Sequence, residues 1–284
     1  MLNCLSFDIE GFVESNVQSI AIPKGYINRK KEVYEIEKNV EILLELLCEL
    51  DVRATFFVLG TTTQDLPGLV KKISDCGHEL GSHGQKHNRI YGLTSAEFKE
   101  DMLSAKKHLE DTISKKVFGF RAPDFSITKA SIWALDVLKA AGFLYDSSIY
   151  PFGLHDAYGL KSASPFIHTL PNGLIEFPLS TIECFGKRWP YGGGGYFRLF
   201  PLFFTDYCIR KTNKLGEPMV FYLHPYEVGP EIPSIPKISP LRKFRHYYNC
   251  QNGAKRLRKI VSKHKFGTAM EVISLKSLGG TKAD

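Results

Sequence analysis

Residues 81–87 read Gly-Ser-His-Gly-Gln-Lys-His, and the rest of the chain is organised around them. Two histidines four positions apart reach one divalent metal whether the backbone between them is helical or a tight loop. Glycines around His83 let that backbone fold closely about a site. Upstream, Cys76-Gly77-His78 breaks an amphipathic stretch, so the motif begins just past a strand predicted over 79–82. Nine histidines can produce one such pair by accident, and the remainder of the chain has to decide the matter.

The N-terminal segment 2–9 alternates as a strand and ends in Asp8-Ile9-Glu10-Gly11. Side chains of a strand alternate faces, so Asp8 and Glu10 point one way and Phe7 and Ile9 the other. Two carboxylates on one face repel, and a metal or a cationic partner removes that cost. Between this strand and the histidines, residues 32–50 predict an amphipathic helix with Val33, Ile36, Val40, Leu43, Leu44, Leu47 and Leu50 on one stripe. Residues 54–59 (ATFFVL) predict a strand buried on both faces, and 66–76 a second helix. Beyond the histidines, Thr94 and Glu97 form a capping-box signature for a long helix over 94–113. A strand over 117–120 runs into Arg121-Ala122-Pro123-Asp124. A helix over 128–141 closes at Gly142, and a strand over 143–145 runs into Asp146. Alternating strands and helices with short connections predict a parallel β/α architecture. Polar residues gather where strands end (Asp8, Glu10, His83, Arg121, Asp146), and the C-terminal rim is where a β/α barrel carries its active site.

The second half is richer in loops, with a strand over 175–179, a helix over 202–213 and a strand over 219–223 that ends in His224-Pro225-Tyr226-Glu227. Trp189-Pro190-Tyr191 leads into Gly192 to Gly195 and then Tyr196-Phe197-Arg198. No Lys-Ser or Lys-Thr follows, so this is no Walker loop; it either lets backbone approach a sugar ring or makes a tight turn. A proline-rich connector (230–240) precedes a basic helix, and 265–270 predicts a last strand. The chain carries a net charge of +7. Much of it lies in Arg242, Lys243, Arg245, Lys255, Arg256, Arg258, Lys259, Lys263 and Lys265. Such a face is either simply solvated or attractive to phosphates and anionic membranes. Without a zinc finger or an RNP-like aromatic motif, nucleic acid is not an expected partner. No run approaches the ~20 apolar residues of a membrane span. The start Met1-Leu2-Asn3-Cys4-Leu5 lacks an export-signal pattern and reads as a core strand, and six scattered cysteines read as reduced core thiols, which together predict a cytoplasmic protein. The length of 284 residues suits one barrel domain over 1–284, with 230–265 packed on it as connector and basic helix.

Five separated motifs resemble those of the polysaccharide deacetylases, the family 4 carbohydrate esterases. Ser6-Phe7-Asp8-Ile9-Glu10-Gly11 is similar to the first, with Ile9 where a second aspartate is usual. Ser82 to His87 resembles the metal-binding histidine motif, Arg121-Ala122-Pro123 the arginine motif and Leu223-His224-Pro225 the closing histidine motif. Tyr145-Asp146-Ser147-Ser148 stands in altered form where the fourth belongs. Gly192 to Arg198, His224 to Glu227 and Phe244-Arg245-His246-Tyr247-Tyr248 resemble a subgroup tied to bacterial exopolysaccharide and O-antigen assembly. The resemblance implies a distorted (β/α) barrel with about seven parallel strands and metal-dependent removal of N-acetyl groups from a sugar.

On that pattern one divalent metal, zinc first, is held by Glu10, His83 and His87, and Asp8 is the base. The reverse assignment of Asp8 and Glu10 stands beside it, because both share a face. Arg121 orients Asp8, His224 protonates the departing amine, and Asp146 orients or tunes His224. Asp124, through nearby backbone N–H, and Tyr196 and Arg198 of the glycine loop contact substrate. The expected substrate is a carbohydrate on a nucleotide or lipid diphosphate, with peripheral contact to an anionic membrane. Rival readings are an amidohydrolase of another small amide (deformylase or ring-opening type), a non-catalytic sugar binder and a basic membrane-associated protein.

Overall fold

The computed structural model describes residues 1–17, 20, 22–153, 159–184 and 186–279. In chain order its strands are β1 (Leu2–Ile9), β2 (Thr55–Val58), β3 (Glu79–Ser82), β4 (Gly119–Phe120), β5 (Tyr145–Asp146), β6 (His168–Thr169), β7 (Ile175–Glu176), β8 (Thr181–Cys184), β9 (Lys187–Pro190), β10 (Val220–Leu223) and β11 (Lys265–Gly267). Nine of them form one curled sheet in the order β10-β1-β2-β3-β4-β5-β7-β6, with β11 joined to β1; β8 and β9 make a separate hairpin. Every ladder of the large sheet is parallel except β6–β7. The distorted β/α barrel expected is present as a half-barrel, with eight parallel strands among the described residues where about seven were expected. Between β10 and β7 the wall is completed by loop segments: Val220 N–H donates to the Ser180 side-chain Oγ, and Tyr222 N–H and Leu179 N–H donate to the backbone carbonyls of Gly192 and Ile149.

The period of two along β1 sets the layers. Leu5, Phe7 and Ile9 face outward and pack with Val40, Leu43 and Leu47 of the helix Arg29–Glu49, while Cys4 joins Phe57, Tyr145 and Tyr222 inside the barrel. The barrel floor is polar. Glu79 accepts the Thr55 hydroxyl (2.7 Å), the Tyr145 hydroxyl (2.8 Å) and the N–H of Met270 (3.1 Å), which fastens the helix Ala269–Gly279 across the N-terminal ends of the strands. The opposite rim is left for chemistry: Asp8, Glu10, His83, Arg121, Asp146 and His224 all sit at the C-terminal end of β1, β3, β4, β5 or β10.

Most elements lie where patterning predicts them. The helix Ser95–Ile113 is capped by Thr94 with Glu97 reaching back to the cap, as its signature requires. Several expectations change, among them the strand expected over 175–179, which stops at Glu176. The helix expected over 128–141 is confined to Ala134–Ala140, because Ser131 Oγ binds Ser126 O and Thr128 N and winds the approach into turns. The strand expected over 265–270 stops at Gly267, where Thr268 and Glu271 exchange bonds that start the last helix. The basic segment is two helices, Pro240–Tyr247 and Gly253–Val261, parted by Asn249 at φ 62°. A short helix, Gly60–Asp65, was not foreseen. Of the loop-rich stretch 150–198, residues 154–158 and 185 lie outside those described. All six cysteines are unpaired, and Cys4, Cys208 and Cys250 are buried, whereas Cys48 and Cys76 are exposed. Among the described residues no helix is long and apolar enough to cross a membrane.

His78, just before β3, is buried against Phe56, and its Nδ1 accepts the N–H of Ala54 at 3.2 Å. Burial, with the Arg53 charge adding to it, pushes its pKa down to about 4. The folded chain therefore keeps this ring neutral while the unfolded chain protonates it near its ordinary value, and the native state loses stability as pH falls from about 6.5 toward about 4. Urea unfolding of wild type and His78→Asn, which keeps an acceptor but cannot titrate, is expected to diverge across that window by on the order of 2 kcal/mol. Parallel curves would remove His78 as the cause.

Candidate active site

Arg121, the first residue after β4, is fully buried and holds the floor of the site. Its guanidinium lies 4.1 Å over the ring of Phe57 and donates to Asp8 Oδ1 (2.7 Å), Ser6 Oγ (3.0 Å), Ser147 O (3.1 Å) and Ser147 Oγ (3.0 Å). A planar fork with four directed bonds has one orientation, so Asp8 is pinned by one oxygen. Ser6 and Asp8 are on the same face of β1, as the alternation requires.

Glu10 follows immediately and faces three imidazoles. Its Oε2 lies 2.6 Å from His87 Nε2 and 3.9 Å from His83 Nε2, and its Oε1 lies 3.0 Å from His224 Nε2. One ligand atom from each of Glu10, His83 and His87 falls within 4.8 Å of the others, and all three residues are buried. His83 Nδ1 is 2.8 Å from the carbonyl of Arg121, a partner that places the proton on Nδ1 and leaves the Nε2 lone pair facing Glu10. The approach of Glu10 Oε2 to His87 is short yet poorly directed for a hydrogen bond, as expected of two donor atoms aimed at a common point. Two imidazoles and one carboxylate with room beside them fit a divalent metal of the zinc type. Burial lowers the pKa of His83. Burial also opposes the charged forms of Glu10 and His87, but their mutual attraction outweighs it, holding Glu10 well below the usual carboxylate range and raising His87 to about 9.

His224 stands across the cleft, and its partner is Glu227, three residues on. Glu227 Oε2 accepts both the backbone N–H of His224 (3.0 Å) and its ring Nδ1 (3.1 Å), while Tyr226 stacks on the ring at 5.0 Å and 9°. Glu227 Oε1 is bound by Arg198 Nε at 2.8 Å. Burial resists charge on both His224 and Glu227. Bonds to Glu10 and Glu227 nevertheless raise His224 to about 10, and the Arg198 charge holds Glu227 down at about 2. The imidazole thus carries a proton on each nitrogen.

The glycine run explains itself here. A Cβ at Gly192 would strike the carbonyl of Val220, one at Gly193 the ring of Tyr222, and one at Gly194 the carboxylate of Glu227. Three of the four glycines serve close packing against β10 and its loop, and Gly195 reaches the cleft wall. Gly194→Ala is expected to cost about 1–3 kcal/mol through overpacking, read as a lower urea midpoint; an unchanged midpoint would show that Glu227 has slack.

Other expected site residues take partners that were not expected. Asp146 does not meet His224. It accepts the hydroxyl (2.6 Å) and N–H (3.1 Å) of Ser148 and is bonded to Glu176, its ladder neighbour. Burial raises both carboxyls, Glu176 most, so the pair shares a proton. Through Ser148, whose Oγ accepts the N–H of Ala122 at 2.7 Å, the pair braces the segment carrying Arg121. Arg198 lines the cleft but spends its charge on Glu227, and Tyr196 packs on Phe200 with centroids 6.0 Å apart. Asp124 lines the cleft at φ 51° with its carboxylate paired to Arg89 at 2.7 Å. Sequence reasoning did not single out Glu227, Glu176, Ser6 or Ser147; only the spacing of His224 and Glu227 offered a signal.

The cleft is about 170 Å³, lined by Asp8, Glu10, His83, Tyr222, His224 and Arg245 among others. A larger hollow of about 770 Å³ lies between residues 25–35 and 231–234, but no metal-ligand set converges on it among the described residues.

Residues 33–145 match the model of a family described as polysaccharide deacetylase, and residues 147–274 match a domain family of unknown function. A peptidoglycan deacetylase of Helicobacter pylori is 27% identical over 157 residues, 50% of this chain and 53% of that protein. A peptidoglycan-N-acetylglucosamine deacetylase of Bacillus cereus is 32% identical over 101 residues, 36% of this chain and 46% of that protein. The chain thus spans about half the length of these curated relatives. A crystal structure from Mycobacterium smegmatis, described as a polysaccharide deacetylase, superposes with a TM-score of 0.63 at 18% identity, covering 97% of this chain and 91% of that one. That likeness concerns the fold.

Proposed function

We propose that this chain, whose residues 33–145 match the polysaccharide deacetylase family model, hydrolyses the N-acetyl group of a sugar. The observation that carries this reading is the convergence of three constellations on one cleft: Glu10–His83–His87, Asp8–Arg121 and His224–Glu227. Glu10, His83 and His87 would hold one divalent metal, zinc first, which when bound supplies Lewis-acid polarisation of the amide carbonyl and acidifies water.

Asp8, held by Arg121, takes the proton of the attacking water. His224 is already protonated and locked by Glu227, and it delivers a proton to the amide nitrogen, which leaves poorly as an anion. Glu10 sits between the histidines and His224, so it is the carboxylate proposed as ligand and Asp8 the one proposed as base. Backbone N–H near Asp124 contributes to holding the developing oxyanion. Arg198 acts through Glu227, and Asp146 with Glu176 acts through the backbone that carries Arg121.

The proposed substrate is a sugar still on a phosphate-bearing carrier, nucleotide or lipid, met in the cytoplasm during assembly of a surface polysaccharide such as O-antigen. Arg245 on the cleft wall and the basic residues that follow support this reading. Residues 1–284 act as one domain in it, since strands from both matched stretches share a sheet. Acetate release from nucleotide-linked, lipid-linked and free N-acetylated sugars tests it. Release from a carrier-linked sugar is expected. Release from none of them, by protein shown to hold metal, would overturn it.

A further inference from the structure

The 39 residues from Ile232 to Met270 contain ten lysines and arginines and no acid. With the whole chain at +7, the remainder is net negative, so the positive charge of this protein belongs to one segment. Within it the helix Pro240–Tyr247 is fixed by one face. Tyr247 packs on Phe12 with centroids 5.0 Å apart, and its hydroxyl donates to Pro233 O (2.8 Å) and accepts the N–H of Ile235 (3.1 Å). Arg198 Nη1 donates to the carbonyl of Tyr248 at 2.9 Å, and Asn249 Nδ2 to the carbonyl of Arg198 at 3.2 Å.

An adjoining face carries apolar groups into solvent. At 3.6 residues per turn Leu241 and Phe244 fall on one stripe, and Tyr248, just past the end of the helix, extends it by packing on Phe244. They are 78%, 51% and 44% exposed, and the rings of Phe244 and Tyr248 lie 4.7 Å apart. Arg242, Lys243 and Arg245 flank the stripe, all exposed. A helix held firmly by its polar and aromatic back, with an apolar stripe between cations, has the form of an interfacial helix. Its Arg245 also lines the catalytic cleft, so a surface that received the stripe would lie at the mouth of the site.

We propose that Leu241, Phe244 and Tyr248, with Arg242 and Lys243, dock this protein on an anionic bilayer surface. Charge selects that occupant. A second copy would bring the same cations against these, whereas acidic headgroups neutralise them while the three apolar side chains enter the boundary of the acyl chains. The docking deepens the reading of a carrier-linked substrate, and it is testable without any substrate.

Vesicle flotation of the full chain decides it, with neutral phosphatidylcholine vesicles against vesicles containing phosphatidylglycerol. Binding to the anionic vesicles alone is expected, weakening as salt rises. Arg242→Glu/Lys243→Glu should lose roughly fivefold or more per residue, and Leu241→Ser/Phe244→Ser should lose binding at equal charge. Neither pair lines the cleft, so acetate release from a soluble sugar and the circular dichroism spectrum should stay unchanged in both. No flotation, equal flotation on neutral vesicles, or undiminished binding of the Leu241→Ser/Phe244→Ser protein would overturn the proposal. A dimer in light scattering that this variant abolishes would do so too, in favour of a second copy. Flotation without acetate release from any sugar would overturn only the deacetylase reading.

Discussion

Purified His83→Ala/His87→Ala protein is expected to carry no divalent metal, whereas the wild-type chain carries one per molecule. The two imidazoles and Glu10 are the buried ligand set found among the described residues, with their donor atoms within 4.8 Å. Removing both rings takes away two of three ligands, a larger loss than the roughly 10–100-fold that follows removal of a residue merely supporting a ligand. The two carboxylates should then behave differently. Glu10→Gln keeps the shape but gives up the charge that faces three imidazoles, and it should weaken metal binding. Asp8→Asn should leave metal in place and reduce turnover, because Asp8 is tied to Arg121 rather than to the histidines. Full occupancy in the double-alanine protein would sink the assignment, and the opposite behaviour of the carboxylate variants would exchange their roles.

His224→Ala is expected to retain metal and lose roughly 10²–10⁴-fold in kcat, the usual worth of a general acid or base. The structure adds a graded series behind it. Glu227→Gln keeps an acceptor for the ring but leaves the buried Arg198 without a countercharge, so it should lower both kcat and stability. Breaking one side of a buried ion pair typically costs about 3–5 kcal/mol. Arg198→Met in the Glu227→Gln background should recover much of the stability and little of the kcat, because the ring still lacks a carboxylate at Nδ1. Metal loss in His224→Ala would make His224 a ligand instead. Full activity in Glu227→Gln would show that His224 needs no carboxylate to hold it.

Why the site was legible in part is visible in its chemistry. Asp8 and Glu10 share a face because a strand alternates, and His83 stands at a rim because a strand over 79–82 must end there; both follow from local geometry. The partner of His224 does not. Asp146 and Glu227 both sit near strand ends in the sequence, and only the 3-10 turn Pro225–Glu227 folds Glu227 back onto the ring while Asp146 is taken by Glu176 across the β5–β7 ladder. Gly192 to Gly195 was ambiguous for a similar reason, since its steric cause is Tyr222 and Glu227, some thirty residues away. The helix Gly60–Asp65 (GTTTQD) has poor intrinsic propensity, and Gly60 and Thr61 donate to Gly84 O and Gln85 O, so the histidine loop holds it in place. The barrel, by contrast, repeats one simple pattern of apolar strand and amphipathic helix, and patterning reads that well.

The most direct test of the account couples metal to hydrolysis in one preparation. Acetate release from a carrier-linked N-acetylated sugar is measured for the wild-type chain as isolated, after chelation and after zinc is restored, beside Asp8→Asn with its metal content determined. The account predicts release that vanishes on chelation, returns with about one equivalent of zinc, and is absent in metal-loaded Asp8→Asn. Release that survives chelation, or that persists undiminished in Asp8→Asn, would contradict it.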